Sequence, residues 1–261
     1  MEKYRLALIG PGHLNGIVAQ AYQDGLLPEF ELVGVLGRSD ERTRTFAEHF
    51  NCQACATIEE LMALKPDFTS EAASPQAVRD YSEHVLRSGS NLVVVTAGAF
   101  ADADLYQSVK QTARETGKRV YIASGAVGGF DVLRTAALMS PIKATMTSKK
   151  SIRSLFYSPL FKSHYPFITE PERAFTGSTT EAIQQLPFHY NVAVATALAS
   201  AGPDQTTLNI DVVPDFVGDD YKIEIKGDEI KTELNIYSRT PRIAGWSIVA
   251  ALQNAVAPIV F

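Results

Sequence analysis

The stretch Leu6 to Gly16, LALIGPGHLNG, constrains the fold more than any other part of this chain. Four apolar residues, Leu6, Ala7, Leu8 and Ile9, form a short run of the kind that is buried on both faces of a parallel sheet. Glycines follow at once. Gly10 suits a tight turn, and the missing side chain of Gly12 lets a pyrophosphate approach the start of a helix, where unpaired N–H groups favour an anion. His13 and Leu14 open that helix and join Gly10 and Gly12 as candidate cofactor-binding residues. The fingerprint G-x-G-x-x-G is imperfect, because Asn15 stands at the third glycine and Gly16 comes one residue late. The alternative is an ordinary glycine turn.

The second strand, Glu31 to Leu36, bears on which cofactor is bound. An NAD-selective domain usually carries an acidic residue near this point to hold the ribose 2′-hydroxyl. Here Gly37, Arg38 and Ser39 follow the strand. Without the carboxylate there is room for a 2′-phosphate, and the Arg38 guanidinium can pair with it, so NADP is favoured over NAD. The bland alternative places Arg38, Ser39, Asp40 and Glu41 in a solvated loop and the start of a helix.

The first half of the chain alternates strand and helix patterns, as a doubly wound parallel sheet does. Helices are expected over Gly16 to Asp24, Arg42 to Phe50, Thr57 to Leu64 and Gln76 to Ser88, and strands around Phe68 to Ser70, Leu92 to Val95 and Val120 to Ala123. Small residues recur at strand exits: Ala73 and Ser74, then Ala97, Gly98 and Ala99, then Ser124, Gly125 and Ala126. Such exits either accommodate sharp turns or shape a crevice. On the second reading the first two groups bind cofactor and the third binds substrate.

After Pro141 the pattern changes. Strand-like segments at Lys143 to Ser148, Thr206 to Val213 and Lys222 to Ile236 predict a largely antiparallel sheet, covered by helices at Thr179 to Leu186 and Val192 to Ser200. The expected class is therefore α/β, with a Rossmann dinucleotide-binding domain joined to a second α+β domain whose sheet is mainly antiparallel. The division falls at 1–120 for the dinucleotide-binding domain and 121–240 for the substrate and oligomerisation domain. A C-terminal helix over 241–261 returns to the first domain. A chain of 261 residues, 46% hydrophobic, can bury cores of this size.

Composition narrows the function class. The formal charge is −5, and the short basic segment Lys149 to Arg153, although followed by aromatics through Phe167, gives no extended basic stripe for nucleic acid. No apolar run reaches membrane-spanning length and no secretory signal opens the chain, so a cytoplasmic protein is expected. Cys52 and Cys55 have C-x-x-C spacing in an expected connection; without a second pair they read as free structural thiols rather than a redox or zinc motif, and no metal is expected.

Beyond the glycine fingerprint, the chain resembles the L-aspartate dehydrogenase family through SEAASPQAV at Ser70 to Val78, TAGAFAD at Thr96 to Asp102 and YIASGAVGGFDVLRTA at Tyr121 to Ala136. GSTTEAIQQLP at Gly177 to Pro187 and NVAVATALASAG at Asn191 to Gly202 extend the likeness over most of the chain. The resemblance implies a nicotinamide-binding domain, a second domain used for catalysis and oligomer contacts, and interconversion of aspartate with iminoaspartate, or with oxaloacetate plus ammonia, using NAD or NADP. It also implies a homodimer or higher homo-oligomer.

The resemblance places catalysis in a segment like ADP-x-x-x-x-N-x-H-x-I, whose Asn and His fall on Asp219 and Tyr221 here. A tyrosine of ordinary pKa about 10 is a poor base near neutrality. Tyr221 therefore suits hydrogen-bond donation to a carbonyl or imine, with Asp219 orienting water or an amine; equally, the pair marks lost aspartate activity. A family lysine–asparagine pair falls on Phe188 and His189, and an NPKTS-like segment has become Ile243 to Ser247. His189 is then a displaced acid–base candidate or a structural histidine. Loss of these polar groups implies an amino acid or imine substrate other than aspartate, or an NADP-binding sensor with reduced catalysis.

Overall fold

The computed structural model describes residues 3–185 and 190–261. The chain forms two compact units, one made of Met1–Gly125 with Arg242–Phe261 and the other of Ala126–Pro241.

The first unit begins with β1 (Tyr4–Ile9), whose Leu6, Ala7 and Leu8 are fully buried and which runs parallel to its neighbours on both sides. Then come α1 (His13–Gln23), β2 (Phe30–Leu36), α2 (Asp40–Phe50), β3 (Gln53–Cys55), α3 (Ile58–Ala63), β4 (Phe68–Glu71), α4 (Pro75–Arg87), β5 (Asn91–Val94), α5 (Ala103–Thr116) and β6 (Val120–Ile122). The six strands are parallel in the order β3-β2-β1-β4-β5-β6. The order reverses between β1 and β4, the place where open α/β sheets take their ligands.

Local chemistry explains where these helices start. Ser39, Thr57 and Ser74 accept N-cap hydrogen bonds from Arg42, Glu60 and Ala77, and Asp102 accepts from Asp104 and Leu105. The Ser39 cap moves the start of α2 back to Asp40, ahead of the expected Arg42. The first helix likewise starts at His13 rather than Gly16, because its N-cap is Gly12.

Two expectations for this unit are corrected. Cys55 lies in edge strand β3, paired with Leu36 of β2, and not in a connection. A division at residue 120 would cut β6, which is hydrogen-bonded to β5, so the first unit extends to Gly125.

The second unit contains α6 (Phe130–Met139), β7 (Lys143–Ser151), α7 (Ile152–Leu155), β8 (Glu172–Ser178), α8 (Thr179–Gln185), α9 (Asn191–Leu198), β9 (Thr206–Val213), β10 (Asp219–Lys226) and β11 (Lys231–Ser238). The strand order is β11-β10-β7-β9-β8, with β7 and β9 parallel and the other three pairings antiparallel. One face is apolar: Ala144, Met146, Leu208, Ile210, Val212, Ile223 and Ile225 alternate with more exposed residues along their strands. Small side chains on α9, including Ala193, Ala195 and Ala197, let it pack against β7. The segment expected as one strand over Lys222 to Ile236 is the β10–β11 pair. Strand β7 runs past Ser148 to take in Lys149 and Lys150, and β8 lies where no strand was expected.

The chain ends with α10 (Arg242–Val256), which belongs to the first unit and packs on α1. Gly245 makes that approach possible, since a Cβ there would meet Ile17 Cδ1 at 2.6 Å. Ile248, Val249 and Leu252 then enter the core formed around Leu6, Leu8, Val18 and Phe30.

Candidate dinucleotide cleft and a second polar cluster

A cleft of about 490 Å³ opens in the first unit at the carboxyl ends of β1, β2 and β4. Its floor is the turn after β1. Gly10 has φ +100°, and a Cβ there would meet Ala72 O and Ala73 Cβ at 2.9 Å, so the turn and the loop after β4 touch directly. A Cβ at Gly12 would meet nothing nearer than Ala72 O at 4.0 Å, and α1 has no side-chain cap. An anion therefore has both room and unpaired helix N–H groups at this point, and the residues fit a dinucleotide pyrophosphate.

Asn15 explains the imperfect fingerprint. It is fully buried, and its Nδ2 donates to the carbonyls of Ile9 at 2.9 Å and Gly10 at 3.0 Å. Its Oδ1 accepts from Ser70 Oγ at 2.8 Å. A side-chain amide thus ties the glycine turn to α1 and β4 at the place of the usual third glycine. Gly16, one residue later, is not a close-contact position: its nearest would-be neighbour is Phe46 at 4.0 Å.

Of the sequence candidates for cofactor, Gly10, Gly12, Arg38, Ala73 and Ser74 line the cleft. His13 is exposed at the start of α1, and Leu14 packs against the hydrophobic core. Ala97 and Ala99 are fully buried in a 3-10 turn over Ala97–Ala101, with Gly98 partly exposed between them. Ser124 and Gly125 fall in the first unit and Ala126 in the second. The Gly125 N–H is already engaged, donating to Ser247 Oγ at 3.0 Å.

The cleft also contains residues that sequence reading passed over. Arg42 lies one helical turn beyond Arg38, and Gln76, Asp80 and Tyr81 come from α4. Ser39 and Asp40 line it too, so the helix-start reading of this segment and the ligand reading of Arg38 hold together.

Beside the cleft wall lies Glu71, the last residue of β4, only 1% exposed. Its Oε1 accepts from Ala73 N at 2.8 Å, Ser74 N at 3.1 Å and Thr96 Oγ1 at 3.1 Å, and its Oε2 from Thr96 N at 3.3 Å. Burial pushes its carboxyl up to about 7, against those hydrogen bonds, which favour the charged form. The available signal was an acidic residue wedged between a strand and a run of small residues.

A second polar cluster sits in the other unit. Tyr221, 4% exposed, donates its hydroxyl proton to Asp219 Oδ1 at 3.1 Å. Lys150 Nζ lies 3.3 Å from the Tyr221 oxygen, 3.7 Å from Asp219 Oδ1 and 5.3 Å from the Tyr221 ring centre. Burial and the adjacent Asp219 charge push the Tyr221 phenol well above its ordinary range, so it is a donor and not a base. Burial lowers the Lys150 ammonium. Lys150 belongs to the basic segment Lys149 to Arg153, yet it is in phase with Ala144, Met146 and Ser148 on the buried face of β7. His189, the third catalytic candidate, lies outside the described residues.

Cys52 and Cys55 are free thiols, both pushed up to about 11, mainly by burial. Thiols held protonated in this way make poor nucleophiles. Among the described residues, no group of three or more His, Cys, Asp or Glu side chains is placed to hold a metal ion. No helix among them is long and apolar enough to cross a membrane.

Known proteins resemble this chain over both of its halves. Residues 8–123 match the NAD binding domain family described for homoserine dehydrogenase, and residues 131–255 match the aspartate dehydrogenase C-terminal family. The L-aspartate dehydrogenase of Archaeoglobus fulgidus is 32% identical over 76% of this chain and 79% of its own length. That of Methanococcus maripaludis is 27% identical over 98% of both chains. The crystal structure of aspartate dehydrogenase from Thermotoga maritima superposes with a TM-score of 0.76 at 22% identity, covering 100% of both chains, and so shares the fold.

Proposed function

Since this chain belongs to the L-aspartate dehydrogenase family, we propose that it interconverts a small amino acid and its imine, using NADP in preference to NAD, and that aspartate is not its best substrate. The protein is an NAD(P)-dependent oxidoreductase with a nicotinamide-binding domain.

The observation that carries the cofactor preference is the pair of guanidiniums, Arg38 and Arg42, on the β2 side of the cleft. Asp40 and Asp80 are the carboxylates that line the same cleft, and Arg38 follows Gly37 where a ribose-binding carboxylate usually stands. In this reading Gly10, Gly12 and the start of α1, with His13 and Leu14, hold the pyrophosphate. The loop Ala73–Ser74 and the exit at Ala97, Gly98 and Ala99 border the remainder, while Ser124, Gly125 and Ala126 contribute to the substrate side.

The nicotinamide supplies or accepts the hydride. The protein's own task is to align the substrate and handle the proton at its nitrogen. Tyr221 acts as a hydrogen-bond donor in place of the family histidine, and Asp219 holds both the phenol and the lysine. Lys150 is the member of the trio suited to exchange a proton, because burial favours its neutral form. The altered residues at Phe188, His189 and Ile243 to Ser247 support a substrate less acidic than aspartate.

The exchange of the family histidine for Tyr221 equally supports a second reading, an NADP-binding sensor or structural subunit with little catalysis. A spectrophotometric screen of amino acids, and of keto acids with ammonia or amines, run in both directions with NAD and NADP, separates the two. NADP-linked turnover of an amino acid other than aspartate is the expected result. Efficient aspartate turnover overturns the altered specificity, and specific dinucleotide binding without turnover shifts the balance toward the sensor. We also propose a cytoplasmic homodimer or larger homo-oligomer that binds neither nucleic acid nor membrane.

A further inference from the structure

Glu71 has no role in the proposed chemistry, yet it is the most costly side chain in the first unit to bury. A carboxylate out of water is normally paired with a cation. Here Ile9 of β1 and Val94 of β5 flank it in register, and its four donors are neutral backbone or hydroxyl groups. No cation pairs with it among the described residues. The charge is therefore held but not cancelled.

Its position gives that charge a direction. In an open sheet of this order the dinucleotide straddles the reversal between β1 and β4, with one nucleotide half over β1 to β3 and the other over β4 to β6. Arg38 and Arg42 stand on the first side, and the loop after β4 lines the same cleft, which leaves the exit of β5 to the nicotinamide half. Glu71 joins that loop to that exit, bonding Ala73 and Ser74 after β4 and Thr96 after β5.

We infer that the Glu71 carboxylate biases this unit toward the oxidised dinucleotide by placing an uncancelled buried negative charge beside the β5 exit that takes the nicotinamide. The inference rests on the nicotinamide-binding reading of the unit. An oxidised nicotinamide ring is cationic and a reduced one is neutral, while adenosine and pyrophosphate are common to both. Repulsion between Glu71 and the phosphates, and any effect of Glu71 on loop geometry, therefore cancel in the ratio of the two affinities. At the effective dielectric of a protein interior, a unit charge within about 10 Å of the ring corresponds to roughly a tenfold change in that ratio.

The test is titration calorimetry of the full chain with NADP⁺ and NADPH, and with NAD⁺ and NADH, for the wild type and Glu71→Gln. At pH about 8, where Glu71 is ionised, the substitution should shift the oxidised-to-reduced affinity ratio roughly tenfold toward the reduced form. In the wild type the ratio should itself move toward the reduced form as the pH is lowered to about 6 and Glu71 takes up a proton. The cleft's other ionisable groups are Arg38, Asp40, Arg42, Asp80 and Tyr81, with His13 at the start of α1. The Glu71→Gln ratio measured at the same two pH values separates the contribution of these groups from that of Glu71.

A substitution that weakens both forms equally and leaves the ratio unchanged means that Glu71 only shapes the loop, and overturns the inference. If Glu71→Gln does not fold, the wild-type ratio decides alone: a decline toward low pH supports the inference and a flat profile overturns it. A wild type that binds neither form removes the nicotinamide reading itself, a result distinct from an unchanged ratio.

Discussion

Ser70 Oγ donates to Asn15 Oδ1 at 2.8 Å, joining the third turn-forming position of the glycine fingerprint to the central strand β4. Both side chains are fully buried, and the same amide donates to Ile9 O and Gly10 O. Replacing Asn15 by Leu strands two carbonyls and a hydroxyl at once. An unfolding free energy lower by about 2–4 kcal/mol is expected from unsatisfied buried polar groups, measurable by urea denaturation. Dinucleotide affinity should fall with it, since the Gly10 turn loses its tie; unchanged stability and binding would show that the amide is dispensable.

Glu71 makes stability depend on pH in a definite direction. Its folded value of about 7 lies above the unfolded value of 4.5, so the folded state binds more protons between those limits. Its contribution is fully present below pH 4.5 and is lost as the pH rises through 7. The difference is roughly 3 kcal/mol by linkage. Denaturation of the wild type and Glu71→Gln at several pH values isolates this component: the gap between them should change in the stated sense, and a constant gap contradicts it.

Arg38→Ala should weaken NADP binding roughly 10- to 100-fold, as loss of a charge-assisted phosphate contact does, and leave NAD binding nearly unchanged. Arg42→Ala should act in the same direction. Equal loss of both cofactors would remove the 2′-phosphate assignment.

In the second unit, Tyr221→Phe removes the bond to Asp219 and the neighbour of Lys150. Turnover is expected to fall by about 10² or more, in the range of positioned proton-transfer groups, with cofactor affinity intact. Lys150→Met should abolish the rise of amino-acid oxidation with pH, the limb along which a neutral base forms. Turnover preserved in Tyr221→Phe would exclude an essential role for the phenol.

Tyr157 and Phe167 are 99% and 83% exposed in the second unit, more than an isolated aromatic surface favours. Analytical ultracentrifugation should find a dimer or larger assembly, weakened by Tyr157→Glu together with Phe167→Glu. A monomer across the practical concentration range would refute the assembly.

Much of the fold was written in local pattern. The buried run Leu6 to Ile9, the glycines behind it and the caps at Ser39, Ser74 and Asp102 act within a few residues of themselves, so their meaning can be read from the chain. Strand β9 matches its expected limits for the same reason. The family motifs, spread in order over most of the chain, were legible as well. What the chain could not declare was pairing at a distance. Asn15 reads as a defect until Ser70, 55 residues away, is brought against it. Glu71 reads as a polar residue at a strand end until Thr96, just past β5, is brought to donate to its buried carboxylate. Lys150 reads as a surface cation until the register of β7 on β10 sets it beside Asp219 and Tyr221. In each case one side chain's chemistry depends on burial and on partners contributed by another strand, and those exist only once the sheets have formed.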